Sequence, residues 1–307
     1  TNDLGGGISN NAGSDKQTYY KLSVSGARGD SPREMAKTYF EKGGMHGDLA
    51  LIESALSARE FFHLVELGVD FPFNRFGEYG GYKTDNDPKG RGTSAGPWTS
   101  QQMYSRLLDN LNNREVEIRD NIEITGLIDA EIAGKTRIIG AVGLNKNNLE
   151  RDNLGFEVYR AENVIFGVGG PGGLYRDSVY PRGHVGSMGL ALEIGARAKG
   201  LTESQFGLAS TEFRWNLSGT YQQVVPTYYS VDPGEPEDRK EFLNEYFPTM
   251  EKLASAIFLK GYQWPFDSGK TRNYGSSLID LLVYNETRKK GREVYLDYTK
   301  NPSAGFG

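Results

Sequence analysis

Three stretches of the chain hold residues whose types and spacing could do chemistry. The first opens with Val164, Ile165, Phe166 and Val168 and then crowds in Gly167, Gly169, Gly170, Gly172 and Gly173. The apolar β-branched run predicts a buried strand over 162–168. A glycine turn after such a strand lets backbone N–H groups close on a phosphate-bearing ligand with no Cβ in the way. A segment of small residues with helical spacing follows, from Gly186 to Ala198. About twelve residues separate turn from helix, so this is not a GxGxxG that opens directly into one. A glycine-rich hairpin connection with no ligand is the competing reading, and the pattern alone leaves the two open.

The second stretch, residues 201–231, mixes polar and aromatic side chains: Glu203, Gln205, Glu212, Arg214, Trp215, Asn216, Tyr221, Gln222, Gln223, Tyr228 and Tyr229. Buried polar groups must be paired, so such a run predicts a hydrogen-bonded network or a substrate pocket. A strand with a polar outer face is the plainer alternative. The third stretch is Gly5-Gly6-Gly7-Ile8-Ser9-Asn10, which offers a side-chain-free surface for a flat ligand, or else a flexible terminus.

Other chemistries are excluded by count. The chain of 307 residues contains no cysteine, so disulfides, thiolate nucleophiles and Cys-ligated metal centres are absent. Its three histidines, His46, His63 and His184, include no pair at metal-ligand spacing, and no metal is expected. A net charge of −5 with scattered basic residues argues against nucleic acid or an anionic membrane as the main partner. No apolar run has the length of a membrane span, and no signal peptide opens the chain, which favours the cytoplasm while leaving export open.

The elements that must position these stretches read as a mixed α/β chain. Ser31-Pro32-Arg33-Glu34 is a capping box with Pro at the first helical position. Asp48 opens a second helix, expected to bury Leu51, Ile52, Ala55, Leu56, Phe62 and Val65. Thr99 with Gln102 opens a third, with Met103, Leu107, Leu108 and Leu111 as core. The long loop 72–98 offers Tyr79, Tyr82, Arg91 and Trp98 as pocket-lining residues. Strands are expected at 115–118, 122–128, 137–144, 154–159 and 162–168, with an antiparallel meander over 130–160. Asp232–Glu241 reads as a hinge between domains, followed by helices near 237–246, 249–260 and 277–289 and a strand at 293–298.

In this order the features resemble the flavoprotein subunit of succinate dehydrogenase and fumarate reductase, with its relatives aspartate oxidase and urocanate reductase. Gly5–Asn10 looks like that family's glycine segment beside the flavin ring. Glu66-Leu67-Gly68-Val69-Asp70-Phe71 looks like its "ELGVPF" region, and Asn163–Tyr175 like its "VILATGGAGGLY" strand and turn. Residues 184–200 look like its "GDG…MALEAGA" helix, and Val294-Tyr295-Leu296-Asp297 like its "VYLDL" strand. The resemblance implies a partial FAD-binding domain over 1–231 that lacks the N-terminal dinucleotide βαβ unit, and a partial helical/β capping domain over 232–307. An internal fragment of a larger flavoprotein is thereby expected.

The resemblance also implies roles. Gly5, Gly6, Gly7, Ile8 and Ser9 would face the ring of FAD. Gly169, Gly170, Gly172 and Gly173 would pass its pyrophosphate or ribityl region. Glu203, Gln205, Trp215, Asn216 and Tyr221 would contact a small-molecule substrate, with His184 and Arg214 as catalytic candidates. Residues 9–30 contain no histidine for covalent attachment, so the flavin would be noncovalent. The family's "FHPT" histidine falls near Gly207, and its proton-donating arginine near Ile279. Those losses speak against fumarate or succinate as substrate. The expectation is therefore an FAD-dependent oxidoreductase, or a fragment of one, acting on another small molecule with an unknown redox partner. The alternative is a noncatalytic binding protein on a degenerate flavoprotein scaffold.

Overall fold

The structure, a computed structural model, describes residues 1–11, 17–26, 29–84, 87, 89–180, 186–201 and 206–302. Its chain order is α1 (Ile8–Asn11), β1 (Tyr19–Tyr20), α2 (Pro32–Gly43), α3 (Gly47–Glu66), β2 (Gly92–Thr93), α4 (Thr99–Asn113), β3 (Ile122–Ile132), β4 (Lys135–Asn145), β5 (Phe156–Arg160) and α5 (Met188–Glu193). Then come β6 (Ala209–Ser210), β7 (Trp215–Asn216), α6 (Thr220–Gln223), β8 (Thr227–Asp232), β9 (Glu235–Lys240), α7 (Met250–Lys260), α8 (Ser277–Tyr284) and β10 (Glu293–Asp297). The fold is a mixture of helices and small antiparallel sheets, as expected. It divides into two compact units: Thr1–Tyr82 with Arg91–Leu201, and Lys83–Gly90 with Thr202–Gly307.

In the first unit, α2 starts as its sequence dictates. Ser31 accepts from the Glu34 amide at 3.2 Å, and Gly44 in the left-handed region closes the far end. The core beneath α3 gathers Phe61, Leu64, Val69 and Phe71, with Tyr19, Tyr79 and Met103 against it. The β3–β4–β5 meander forms, and the hairpin expected at Gly134-Lys135 turns one residue earlier, at Ala133–Gly134.

The second helix forms, but turned the other way. α3 buries Ala50, Ser54, Ser57, Phe61 and Leu64, while Leu51, Ile52, Leu56 and Phe62 are exposed. Ser54 and Ser57 spend their hydroxyls on the carbonyls of Ala50 and Ser54, at 2.7 and 2.9 Å, and so behave as small core residues. His46, not Asp48, caps its start. Thr99 does not cap α4. Its hydroxyl donates to the Gly96 carbonyl at 2.6 Å and accepts from the Ala95 amide, while Gln102 reaches the Ala95 carbonyl. Leu107 and Leu111 are half-exposed and are not core.

Two expected strands are missing. Residues 116–120 are irregular, and so is the run 163–170, where Ile165 is 96% exposed. A buried strand needs ladder partners for its N–H and C=O groups, and among the described residues no strand pairs with this run. The following helix is also short. α5 ends when Gly195, at φ +85°, gives a 6→1 bond from the Ala196 amide to the Ala191 carbonyl and a 5→2 bond from Gly195 to Leu192.

In the second unit, β10–β8–β9 is one antiparallel sheet, and α7 and α8 pack Leu253, Ala256, Ile257, Ile279 and Leu282 around Phe242 and Tyr228. The helix expected at 237–246 is instead β9 followed by a 3₁₀ turn. Its Pro236 and its run of charged residues suit an edge strand. Asp232–Glu241, expected as a hinge, instead holds the β8–β9 turn at Asp232–Glu235, with Asp232 accepting from the Gly234 amide at 2.9 Å, and strand β9. The helix at 277–289 forms, its last part as a π-helical turn over Asn285–Lys289.

Candidate functional site

The first site element is the N-terminal glycine turn. Gly5 sits at φ +83°, where glycine is the favoured residue. Its carbonyl accepts from the side chains of Asn10 at 2.9 Å and Asn11 at 2.5 Å, and Asn11 also reaches the Gly7 carbonyl at 3.0 Å. Two asparagines thus pin the turn, Asn10 from the end of the glycine stretch and Asn11 just after it. The amides of Gly7, Ile8 and Ser9 find no acceptor among the described residues. Gly7 has nothing within 4 Å of where a Cβ would stand. They are the amides at the start of α1, which a helix leaves without an intrahelical acceptor, and here they stand on an open backbone.

Beside this turn lies a cavity of about 550 Å³, lined by Leu4 and Ser9, by the α4 residues Met103, Tyr104, Leu107, Leu108 and Leu111, and by Ile118. Its charged lining, Glu117 and Arg119, is an ion pair at 2.8 Å, so the walls are apolar and the charge is neutralised at the edge. The leucines expected as core are the wall of this cavity. Their periodicity was legible; the absence of a partner for that face was not.

The second glycine turn, also in the first unit, is a 3₁₀ turn at Gly172–Leu174, with the Leu174 amide donating to Pro171 at 3.0 Å. Gly186, at φ +60°, lies against it: a Cβ there would stand 2.7 Å from the Gly169 oxygen and 3.0 Å from that of Gly170. Gly172 is buried, while Gly169, Gly170 and Gly173 are exposed. Among the described residues no hydrogen bond joins this turn to Gly5–Ser9. His184 lies outside the described residues.

The expected substrate set belongs to the second unit. Glu203 and Gln205 lie outside the described residues. Arg214, at φ +53°, precedes β7, which pairs Trp215 with Ser210 and Asn216 with Ala209. Asn216 donates to Ser218 at 3.3 Å. Trp215 and Tyr221 are more than a third exposed and free to meet a ligand face. Burial pushes the Tyr298 hydroxyl up to about 12, and the nearby Tyr221 adds to the effect.

Behind this surface lies a buried network that the sequence named only in part. Gln222 donates to the Leu217 carbonyl at 3.1 Å and accepts from the Tyr228 hydroxyl at 2.7 Å. Burial carries that hydroxyl well above its ordinary range. Lys260 and Asp280, both buried, form an ion pair, and burial pushes the Asp280 carboxyl up to about 6. The two positions that the resemblance gives to a histidine and an arginine are closed. A Cβ on Gly207 would stand 2.9 Å from the Trp264 ring, and Ile279 is fully buried in the apolar core.

Of the residues offered from the long loop, Arg91 does not line the cavity described above. It is fully buried and bidentate to Asp30, with both bonds at 2.7 Å. Tyr79 packs on Phe61, Phe62 and Phe73. No group of three or more His, Asp or Glu side chains gathers as a metal site among the described residues, and no described helix is long and apolar enough to cross a membrane.

No family model and no curated protein sequence matches the chain. Solved structures do. The chain is similar to Mycobacterium smegmatis Sdh1 in complex with UQ1, at 17% identity and a TM-score of 0.52, over 64% of this chain and 33% of that one. It is similar to a flavocytochrome c3 fumarate reductase, at 15% identity and a TM-score of 0.53, over 86% of this chain and 57% of that one. It is also similar to 3-ketosteroid-Δ4-(5α)-dehydrogenase from Rhodococcus jostii RHA1 in complex with 4-androstene-3,17-dione, at 14% identity and a TM-score of 0.51, over 94% of this chain and 71% of that one. The fold is thus that of the succinate dehydrogenase and fumarate reductase flavoenzymes, as the motifs implied. The chain spans about a third of the Sdh1 chain and somewhat more than half of the fumarate reductase.

Proposed function

We propose that the chain is the flavin-facing and substrate-facing part of an FAD-dependent oxidoreductase that acts on a small molecule other than fumarate. The observation that carries this is the pinned turn at Gly5–Ser9, with three unpaired amides on an open backbone. These residues fit the polar edge of a noncovalent flavin ring. Bound there, FAD would supply hydride chemistry, and the protein would bind and orient it. Gly169, Gly170, Gly172 and Gly173 would run along the ribityl or pyrophosphate part, with Gly186 packed against the Gly169 and Gly170 oxygens. In the second unit Arg214, Trp215, Asn216 and Tyr221, with Glu203 and Gln205, would contact the substrate, Arg214 also handling protons; His184 is the catalytic candidate of the first unit. The first unit then corresponds to part of an FAD-binding domain and the second to part of a capping domain.

A second reading has its own support. The closed positions at Gly207 and Ile279 leave no room for the family's histidine and arginine, which favours a noncatalytic small-molecule binder on the same scaffold. An absorbance spectrum after incubation with FAD and desalting separates the two, taken on this chain and on one extended at both ends. Flavin bands retained in either, and lost on Gly7→Val or Gly170→Val, support the oxidoreductase. No flavin retained by either chain sinks it.

A further inference from the structure

The turn that follows α7 holds three points of the polar–aromatic segment. The Gly261 carbonyl accepts from the Gly219 amide at 2.9 Å, and Gly261 lies so close that a Cβ on it would stand 2.6 Å from the Gly219 oxygen. The Trp264 indole donates to the Leu208 carbonyl at 2.6 Å, and that same carbonyl accepts from the Leu217 amide at 2.9 Å. Residues 208, 217 and 219 therefore hang from residues 261 and 264. The turn closes on its own backbone, with the Tyr262 and Gln263 amides donating to the Leu259 carbonyl at 3.0 and 2.9 Å, and one cation ties it to α8. Lys260 donates to the Gln263 carbonyl at 3.1 Å and pairs with Asp280 from α8, while Ser276 donates to the Gln263 side chain at 2.6 Å.

We propose that Lys260, neutralised by Asp280, is a positioning residue that pins the 261–264 turn and through it sets the geometry of the Trp215–Tyr221 surface. The inference rests on the reading of that surface as the substrate wall. A buried ion pair is weak evidence of stabilisation, because apolar residues of similar size often do as well. What they cannot replace is the bond from the Lys260 ammonium to the Gln263 carbonyl. Asp280 makes that buried ammonium affordable, and its second oxygen has no full hydrogen-bond partner among the described residues. The arrangement is therefore built around the lysine, with the aspartate as its counter-charge.

Hydrogen exchange on the full chain tests this without any ligand. In the double variant Lys260→Met with Asp280→Leu, the charge pair leaves together and the core stays filled. Exchange at the Leu217 and Gly219 amides should then rise about tenfold, while the β8–β10 ladder keeps its protection. Unchanged protection at both amides, or equal loss across the ladder, overturns the proposal. If the double variant does not fold, Trp264→Phe probes the same frame from its other end. It must speed exchange at Leu217 and leave the ladder intact; wild-type exchange there overturns the proposal equally. Failure of the substrate reading looks different: Arg214→Ala and Trp215→Ala would leave ligand binding unchanged while the exchange result still held.

Discussion

Replacing Arg91 by methionine should destabilise the first unit severely, because Arg91 is the centre of a buried polar knot. It gives two bonds of 2.7 Å to Asp30, one of 3.1 Å to the Tyr20 hydroxyl and one of 2.9 Å to Thr38. Methionine matches the stem and supplies none of these. Asp30, which also accepts from the Ser23 and Ser31 amides, is left as a buried carboxylate without its cation. Removing one partner of such a pair costs about 3–5 kcal/mol. The arginine and the two amides hold the Asp30 carboxyl below its ordinary range against the opposing effect of burial. A depressed folded pKa means that this stability is fully present above the unfolded value near pH 4 and is lost as pH falls through the folded one. Urea unfolding of wild type, Arg91→Met, Asp30→Leu and the double variant closes a cycle. The double variant should lose clearly less than the sum of the singles, because it strands no charge. A loss below about 1 kcal/mol for Arg91→Met, or strict additivity, would refute the assignment and return Arg91 to the pocket-lining role that its loop first proposed.

Lys21 offers the opposite case. Its ammonium is fully buried, stands 4.6 Å from the Phe61 ring and has no hydrogen-bond partner among the described residues, and burial lowers its pKa. Lys21→Met should therefore stabilise the chain at pH 7 by about 1–3 kcal/mol. The folded state binds this proton less readily than the unfolded, so wild-type stability should rise with pH toward 10, a slope missing from the variant; a destabilised variant counts against it. Gly207→His, which restores the residue type of the fumarate reductase motif, should cost about 1–3 kcal/mol by overpacking against Trp264. Thermal unfolding reads this directly, and a neutral result would mean that the position is open after all. Gly186→Val should loosen the Gly169–Gly170 carbonyls and raise exchange around Gly172–Leu174; unchanged protection there would remove the close contact from the argument.

Local signals were legible wherever one residue decided the outcome. Ser31 with Pro32 marked α2, Gly134 marked the β3–β4 turn, and the alternation of Glu293–Asp297 marked β10. What the sequence hid was which face is covered. In α3 two stripes compete, a large apolar one and a small one through Ser54 and Ser57. The small one is buried, because hydroxyls that bond their own helix let neighbours approach closely. Periodicity gives a stripe but not its partner. The same ambiguity made the α4 leucines look like core when they line a cavity. The glycine stretch beside the candidate flavin site was visible from composition. Its unpaired amides were not, because they depend on where Asn10 and Asn11 send their side chains.

The run Val164–Val168 is the sharpest point of difference between sequence and structure, and one substitution decides it. As a buried strand, Ile165 would be among the most costly positions at which to place a charge. In the structure it is 96% exposed and belongs to no ladder among the described residues. Ile165→Lys should therefore change unfolding stability by no more than about 0.5 kcal/mol, the ordinary range for a surface site. It should also reduce self-association, since an exposed apolar, β-prone run without charge or proline is an aggregation hazard that one lysine interrupts. Light scattering reads the second effect and thermal unfolding the first. If Ile165→Lys instead lowers the melting temperature by many degrees, the segment is covered in solution. The strand read from its sequence would then exist, with its ladder partners supplied by polypeptide beyond the described residues.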